Sequence, residues 1–183
     1  MAKSVYGIEG LDRLGKSTLI EGIRNKLGYY EVIHFSKPQT LDVYNHSQDH
    51  VPAYLYQQES FRNSMLLARS GARIIFDRWH LGEAVYSNIY RGYNGDYVFG
   101  IETMFAMDEC FNTRLILLVE DFDRSLHFKS DGDSFDDSKR MEEQALFINA
   151  FNKSIIPDKK MICVTAKNGN FRPREDILAE ALS

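Results

Sequence analysis

Two cysteines in 183 residues, Cys110 and Cys163, are too few and too far apart for a disulfide framework, and their apolar neighbours predict buried, reduced thiols. Proline is scarce at four, and no internal repeat, low-complexity tract or Pro/Gly/Ser linker interrupts the chain, so a single domain over 1–183 is expected. No run approaches the roughly eighteen apolar residues of a spanning helix. The opening MAKSVYGIEG also lacks the hydrophobic stretch of a signal peptide, so a cytoplasmic protein without a membrane partner is expected. Nor is there an excess of positive charge. Lys and Arg total 22 against 26 Asp and Glu, a net charge of −4, which argues against duplex nucleic acid as the main partner. His46 and His50 stand one helical turn apart, but no third ligand lies near them, so zinc is not expected.

What is present reads as a globular α/β protein. Hydrophobic residues make up 44% and charged residues 26%, close to globular averages. Apolar runs at Val5–Ile8, Val32–Phe35, Ile74–Phe76, Leu115–Val119 and Met161–Val164 are the strand candidates. They lack clean alternation, as strands buried on both faces do, and helical patterns separate them. That spacing requires parallel crossovers, hence a three-layer sandwich on a five-stranded parallel sheet. Helices are predicted from Lys16, around Tyr54, after His80, around Asp96 and near Lys139. In the last, Met141, Ala145, Ile148, Phe151 and Ile155 form a stripe expected to face the core.

The chemistry concentrates in IEGLDRLGKST. Gly10 to Ser17 fits G-x-x-x-x-G-K-[ST], directly after an apolar run and before the helix-compatible STLIEGIRNKL. In such a loop Gly10, Leu11, Asp12, Arg13, Leu14, Gly15, Lys16, Ser17 and Thr18 surround the phosphates. Lys16 supplies charge to the β- and γ-phosphates, and the Ser17 hydroxyl is offered to magnesium. A plain strand-to-helix turn would not need Lys and Ser side by side. Asp12 and Arg13 are the oddity, since an acid repels phosphate and an arginine is too long to be filler.

The strand RIIF then delivers Asp77 and Arg78 to its carboxyl end, the edge where open parallel sheets bind ligands. Asp77 can orient magnesium through water and Arg78 can hold a second phosphate. The plainer alternative is an Asp that caps the next helix with Arg as its surface partner.

IEGLDRLGKST and DRW together resemble the loop and the post-strand DR motif of the thymidylate kinase family of nucleoside monophosphate kinases. Order and spacing match from Val5 to about Ile156. The resemblance implies a P-loop kinase fold, ATP as donor, magnesium, a deoxynucleotide acceptor and a possible homodimer. It further implies that Asp12 approaches the acceptor side and that Arg13 belongs to the subclass whose lid lacks catalytic arginines. The lid would be the segment 127–138, where Lys129 is the lone cation against Asp131, Asp133, Asp136 and Asp137. Arg124 would contact the donor nucleotide. On the acceptor side the resemblance points to Phe35 and Lys37 after the second strand, to Tyr86 beneath the sugar and to Phe135 in the lid. It also places the base pocket on the helix before DRW, where Tyr54 and Gln58 make one i, i+4 pair and Phe61 with Arg62 the competing one.

These residues lead to phosphorylation of a deoxynucleoside monophosphate, dTMP or another pyrimidine first. The alternatives are a deoxynucleoside kinase and a nucleotide sensor without turnover. Asp12, Arg13, Lys16, Asp77 and Arg78 are the expected catalytic set, with Ser17 and Asp77 toward the metal.

Overall fold

A computed structural model describes residues 3–34, 51–106, 112–124 and 137–183. Five parallel strands, β1 (Val5–Gly10), β2 (Glu31–His34), β3 (Ile74–Asp77), β4 (Thr113–Val119) and β5 (Lys159–Cys163), form a sheet in the order β2-β3-β1-β4-β5. All five lie where the apolar runs predict them. Every residue of central β1 and β4 is buried, whereas the edge strands β2 and β5 are partly open. Burial on both faces removes the reason for alternation, which is why the central runs read as continuous.

The helices are α1 (Lys16–Leu27), α2 (Val51–Arg69), α3 (Leu81–Tyr86), α4 (Tyr97–Ala106), α5 (Asp137–Lys153) and α6 (Arg174–Leu182). By contact they divide into two groups, α1 with α6 and α2 to α5 with one another, the outer layers of an α/β sandwich. Helix α6 is absent from the sequence expectations. Only Ile177 and Ala181 of its nine residues are buried, too few to show a period.

Helix α5 corrects its predicted face. Met141, Ala145 and Ile155 are exposed, and Ile148 is half-buried. Of the expected stripe only Phe151 is buried. The inward face begins with Arg140 and Gln144 and continues through Phe147, Ala150 and Phe151. Two polar residues hold the inner end of the helix because their heads bond to Glu120 at the end of β4. An apolar count alone shifts the stripe by about one residue.

The single Trp, Trp79, fixes the segment after β3. Its ring lies 4.7 Å from Phe76 at 11° and 5.1 Å from Phe61 at 27°. Gly7 on β1 makes room for it, since a Cβ there would stand 2.6 Å from the indole. Cys163 is a free thiol, half-buried and not fully buried as expected. Cys110, His46 and His50 lie outside the described residues.

Candidate active site

Strand β1 ends at Gly10, whose φ of 128° and close approach to β4 exclude a side chain; a Cβ would lie 2.4 Å from Leu118 O. Buried Leu11 and Leu14 then anchor the loop, leaving Asp12 and Arg13 half-exposed between them. Gly15, at φ 85°, starts α1 without a side-chain cap and with no acid in the first turn. The first N–H groups and the positive end of the helix dipole therefore point at the loop, the arrangement that binds an anion. Ser17 is exposed and Thr18 half-buried on that first turn.

Lys16 is buried in the mouth of the loop. Its Nζ donates to Gly10 O at 2.9 Å and Leu11 O at 2.6 Å and stands 3.7 Å from Asp12 Oδ1. Burial lowers its pKa, the Arg78 charge lowers it further, and Asp12, Glu9 and Asp77 oppose both. Arg78 donates its backbone N–H to Ile8 O at 3.0 Å, and its guanidinium bonds the same Asp12 Oδ1. Asp12 thus joins the loop lysine to the arginine of the DR pair, two motifs separated by 66 residues. Arg13 and Arg78, at φ 68° and 62°, are the only non-glycine residues with positive φ among those described. Backbone strain of this kind collects where function requires it.

Asp77 closes β3 in register with Ile8 and His34, with its Oδ2 3.3 Å from His34 Nδ1. Among the described residues no group of three or more acids, histidines or cysteines could hold a metal alone. The hard oxygen donors around the loop are the hydroxyls of Ser17 and Thr18 and the carboxylates of Glu9, Asp12 and Asp77. That set suits magnesium, which binds through one or two carboxylates together with substrate phosphates.

Two residues that the sequence reading missed complete the site. Glu9, fully buried, accepts from the N–H groups of Trp79 and Leu81, each at 2.9 Å, and so fixes the turn carrying Arg78. Burial raises its pKa, against the lowering influence of His80. A single Glu at a strand end gives no sequence signal. Arg140, in the first turn of α5, donates to Asp12 O at 3.4 Å and to Glu120 Oε1 at 2.5 Å. A signal did exist here, because a cation in a first helical turn opposes the dipole and calls for an explanation.

Of the residues expected on the acceptor side, Tyr54 and Gln58 are half-buried on α2 and share a face, with Gln58 Nε2 3.5 Å from the Tyr54 hydroxyl. The competing pair is corrected. Phe61 is 1% exposed and belongs to the Trp79 stack, while Arg62 points outward beside Glu59 at 3.6 Å. Adjacent helical residues do not share a face. Gln57, one residue before Gln58, is buried with its Oε1 unpartnered. Tyr86 packs edge-on against Phe147 at 5.6 Å, and burial, then Glu143, raises its hydroxyl pKa. Arg124 ends a 3-10 turn, Phe122–Arg124, beyond β4. Its side chain, together with Phe35, Lys37, Lys129 and Phe135, lies outside the described residues.

A cavity of about 820 Å³ opens on the other side of the loop, lined by Arg13, Gly15 and Thr18 and by Phe171 and Arg172 ahead of α6. The loop therefore has open space on its α1/α6 side and the DR pair on its β3 side.

No family model matches the chain, and no curated protein matches it. Solved structures do. A thymidylate kinase from Candida albicans is 17% identical, with 96% of this chain and 87% of that chain covered and a TM-score of 0.60. The YorR protein of Bacillus subtilis, in complex with phosphorylated GDP, is 14% identical over 87% and 84% of the chains, with a TM-score of 0.59. A deoxyadenosine kinase from M. mycoides with bound dATP is 20% identical over 96% and 95%, with a TM-score of 0.52. The fold is that of the P-loop kinases.

Proposed function

We propose that the chain is an ATP- and magnesium-dependent kinase that phosphorylates a deoxynucleoside monophosphate, dTMP or another pyrimidine first. The observation that carries this reading is the Lys16–Asp12–Arg78 linkage. Lys16 would bind the donor phosphates and Arg78 the acceptor phosphate, and the Asp12 carboxylate holds the two cations side by side so that the two phosphates could be brought together. The donor nucleoside would occupy the cavity beside α1 and α6, and the acceptor the side that carries Tyr54 and Tyr86. Ser17 and Asp77 would hold magnesium, which offsets charge on the β- and γ-phosphates. Lys16 would bridge the same phosphates, and Arg13, at the loop rim, would meet charge developing on the transferred group.

A deoxynucleoside kinase is the second reading, favoured by one observation. Arg140 brings an α5 guanidinium to 3.4 Å from Asp12 O of the loop, where a nucleoside kinase could use it on the donor phosphates. A coupled assay of ADP release with each deoxynucleoside and each monophosphate separates the two. Release with monophosphates alone is expected. Release with nucleosides alone would establish the second reading, and ATP binding with no acceptor-dependent release would establish a sensor.

A further inference from the structure

Glu83, one residue beyond Gly82 on α3, is 3% exposed and uses both carboxylate oxygens. Oε1 accepts from the Tyr93 hydroxyl at 2.6 Å and the Tyr97 hydroxyl at 2.8 Å, and Oε2 accepts from Arg91 Nη1. Burial and then the Glu83 bond push the Tyr93 hydroxyl up to about 12, so both phenols remain donors at neutral pH. Arg91 is held in turn. Its side chain is 12% exposed, and among the described residues acceptors stand against Nη1 only. A guanidinium has five N–H donors, so the edge formed by Nε and Nη2 is left over.

The chain around Arg91 is built to hold it still. Helix α3 runs into a π-helical turn, Ser87–Arg91, which ends at Gly92 with φ 71°. Such turns concentrate at functional sites. The loop then folds back so tightly that a Cβ on Gly95 would lie 2.2 Å from Ser87 Oγ and 2.5 Å from Glu83 O. The cluster also reaches the residues proposed for the acceptor side. The Tyr97 ring meets Tyr54 edge-on at 5.5 Å, and a Cβ on Gly82 would lie 3.8 Å from the Tyr86 ring.

We infer that the free edge of Arg91 reads the acceptor base, selecting bases that present a carbonyl oxygen there, thymine or guanine, over the amino bases cytosine and adenine. The inference rests on the kinase reading above and adds to it the residue that chooses the base. A guanidinium edge is all donor. It satisfies guanine O6 and N7 together or thymine O4 singly, while the exocyclic amine of cytosine or adenine sets donor against donor. A purely structural ion pair would need neither the unused edge nor a carboxylate shared with Tyr97, the ring that meets Tyr54.

The test compares kcat/KM for dTMP, dGMP, dCMP and dAMP at saturating ATP in the wild type, Arg91→Lys and Arg91→Gln, with urea unfolding alongside. Lys keeps the charge against Glu83 but loses the fork. The expected wild-type preference for the carbonyl bases, roughly tenfold to a hundredfold, should fall about tenfold in Arg91→Lys through the acceptor KM. The ATP KM should stay within about threefold. An unchanged base ratio in folded Arg91→Lys, or a wild type that prefers dCMP and dAMP, would overturn the inference. If only nucleosides are turned over, the monophosphate reading fails and the same ratio is measured on nucleosides. If nothing is turned over, the dissociation constants of the four monophosphates decide by the same criterion.

Discussion

Asp12 answers to Lys16 and Arg78 through its carboxylate and to Arg140 through its carbonyl, so its neighbourhood is where single side chains would decide the chemistry. Lys16 touches the loop carbonyls and Asp12 already, and a charge so placed acts on bound ATP as well as on the transition state. Arg13→Ala should therefore lower kcat by roughly 10² or more with ATP affinity changed only a few-fold, whereas Lys16→Ala should damage both. Single-turnover kinetics with ATP titration separates the two patterns. Arg140 is the competing cation, and it carries a structural duty as well. It bonds Glu120, 6% exposed, and removing one partner of a buried pair typically costs about 3–5 kcal/mol. Arg140→Lys keeps that charge. If Arg140→Lys, at normal stability, lost more kcat than Arg13→Ala, the catalytic guanidinium would belong to α5.

At the scale of elements, the strands and the loop were readable because they rest on local signals: apolar run length, glycine spacing, and Lys before Ser. What escaped were side chains whose meaning depends on a distant partner. Arg140 and Gln144 turned the inner face of α5 because Glu120 waits at the end of β4. Phe61 looked like a base-stacking aromatic until Trp79 took its face. Glu9 is the clearest case, one carboxylate clamping β1 to the start of α3 through two N–H donors. Its pKa is raised above the ordinary 4.5, so the folded state binds the proton more tightly than the unfolded chain. That contribution to stability is present below pH 4.5 and is lost as pH rises through the folded value. Glu9→Gln should flatten the decline, since the amide oxygen still accepts from Trp79 and Leu81 without losing a proton. Urea midpoints measured across this range in wild type and variant check the slope. Parallel curves would mean that Glu9 titrates alike in both states.

For the whole molecule, the end of the sheet opposite the loop is tied shut. Arg114, 9% exposed near the start of β4, donates from Nε and Nη2 to Asp158 at 3.0–3.1 Å and from Nη1 to Ala181 O and Ser183 O at 2.9 and 3.0 Å. Lys3 reaches the same Asp158 at 2.7 Å. One guanidinium thus joins β4, the approach to β5 and the end of α6. Burial would raise the Asp158 pKa, but Arg114 and Lys3 outweigh it and hold it low. This contribution is accordingly present above the ordinary 3.8 and fades as pH falls through the folded value. Leu118 lies four residue steps beyond Arg114 along the strand, about 13 Å, so the tie does not touch the loop. Arg114→Ala should therefore lower stability by about 3 kcal/mol, leaving several acceptors without their donor, while kcat per folded molecule stays within about twofold of wild type. Urea unfolding and active-site titration on one preparation measure both. A loss of kcat without a loss of stability would mean that the two ends of the sheet are coupled and that the lower tie belongs to the catalytic machinery.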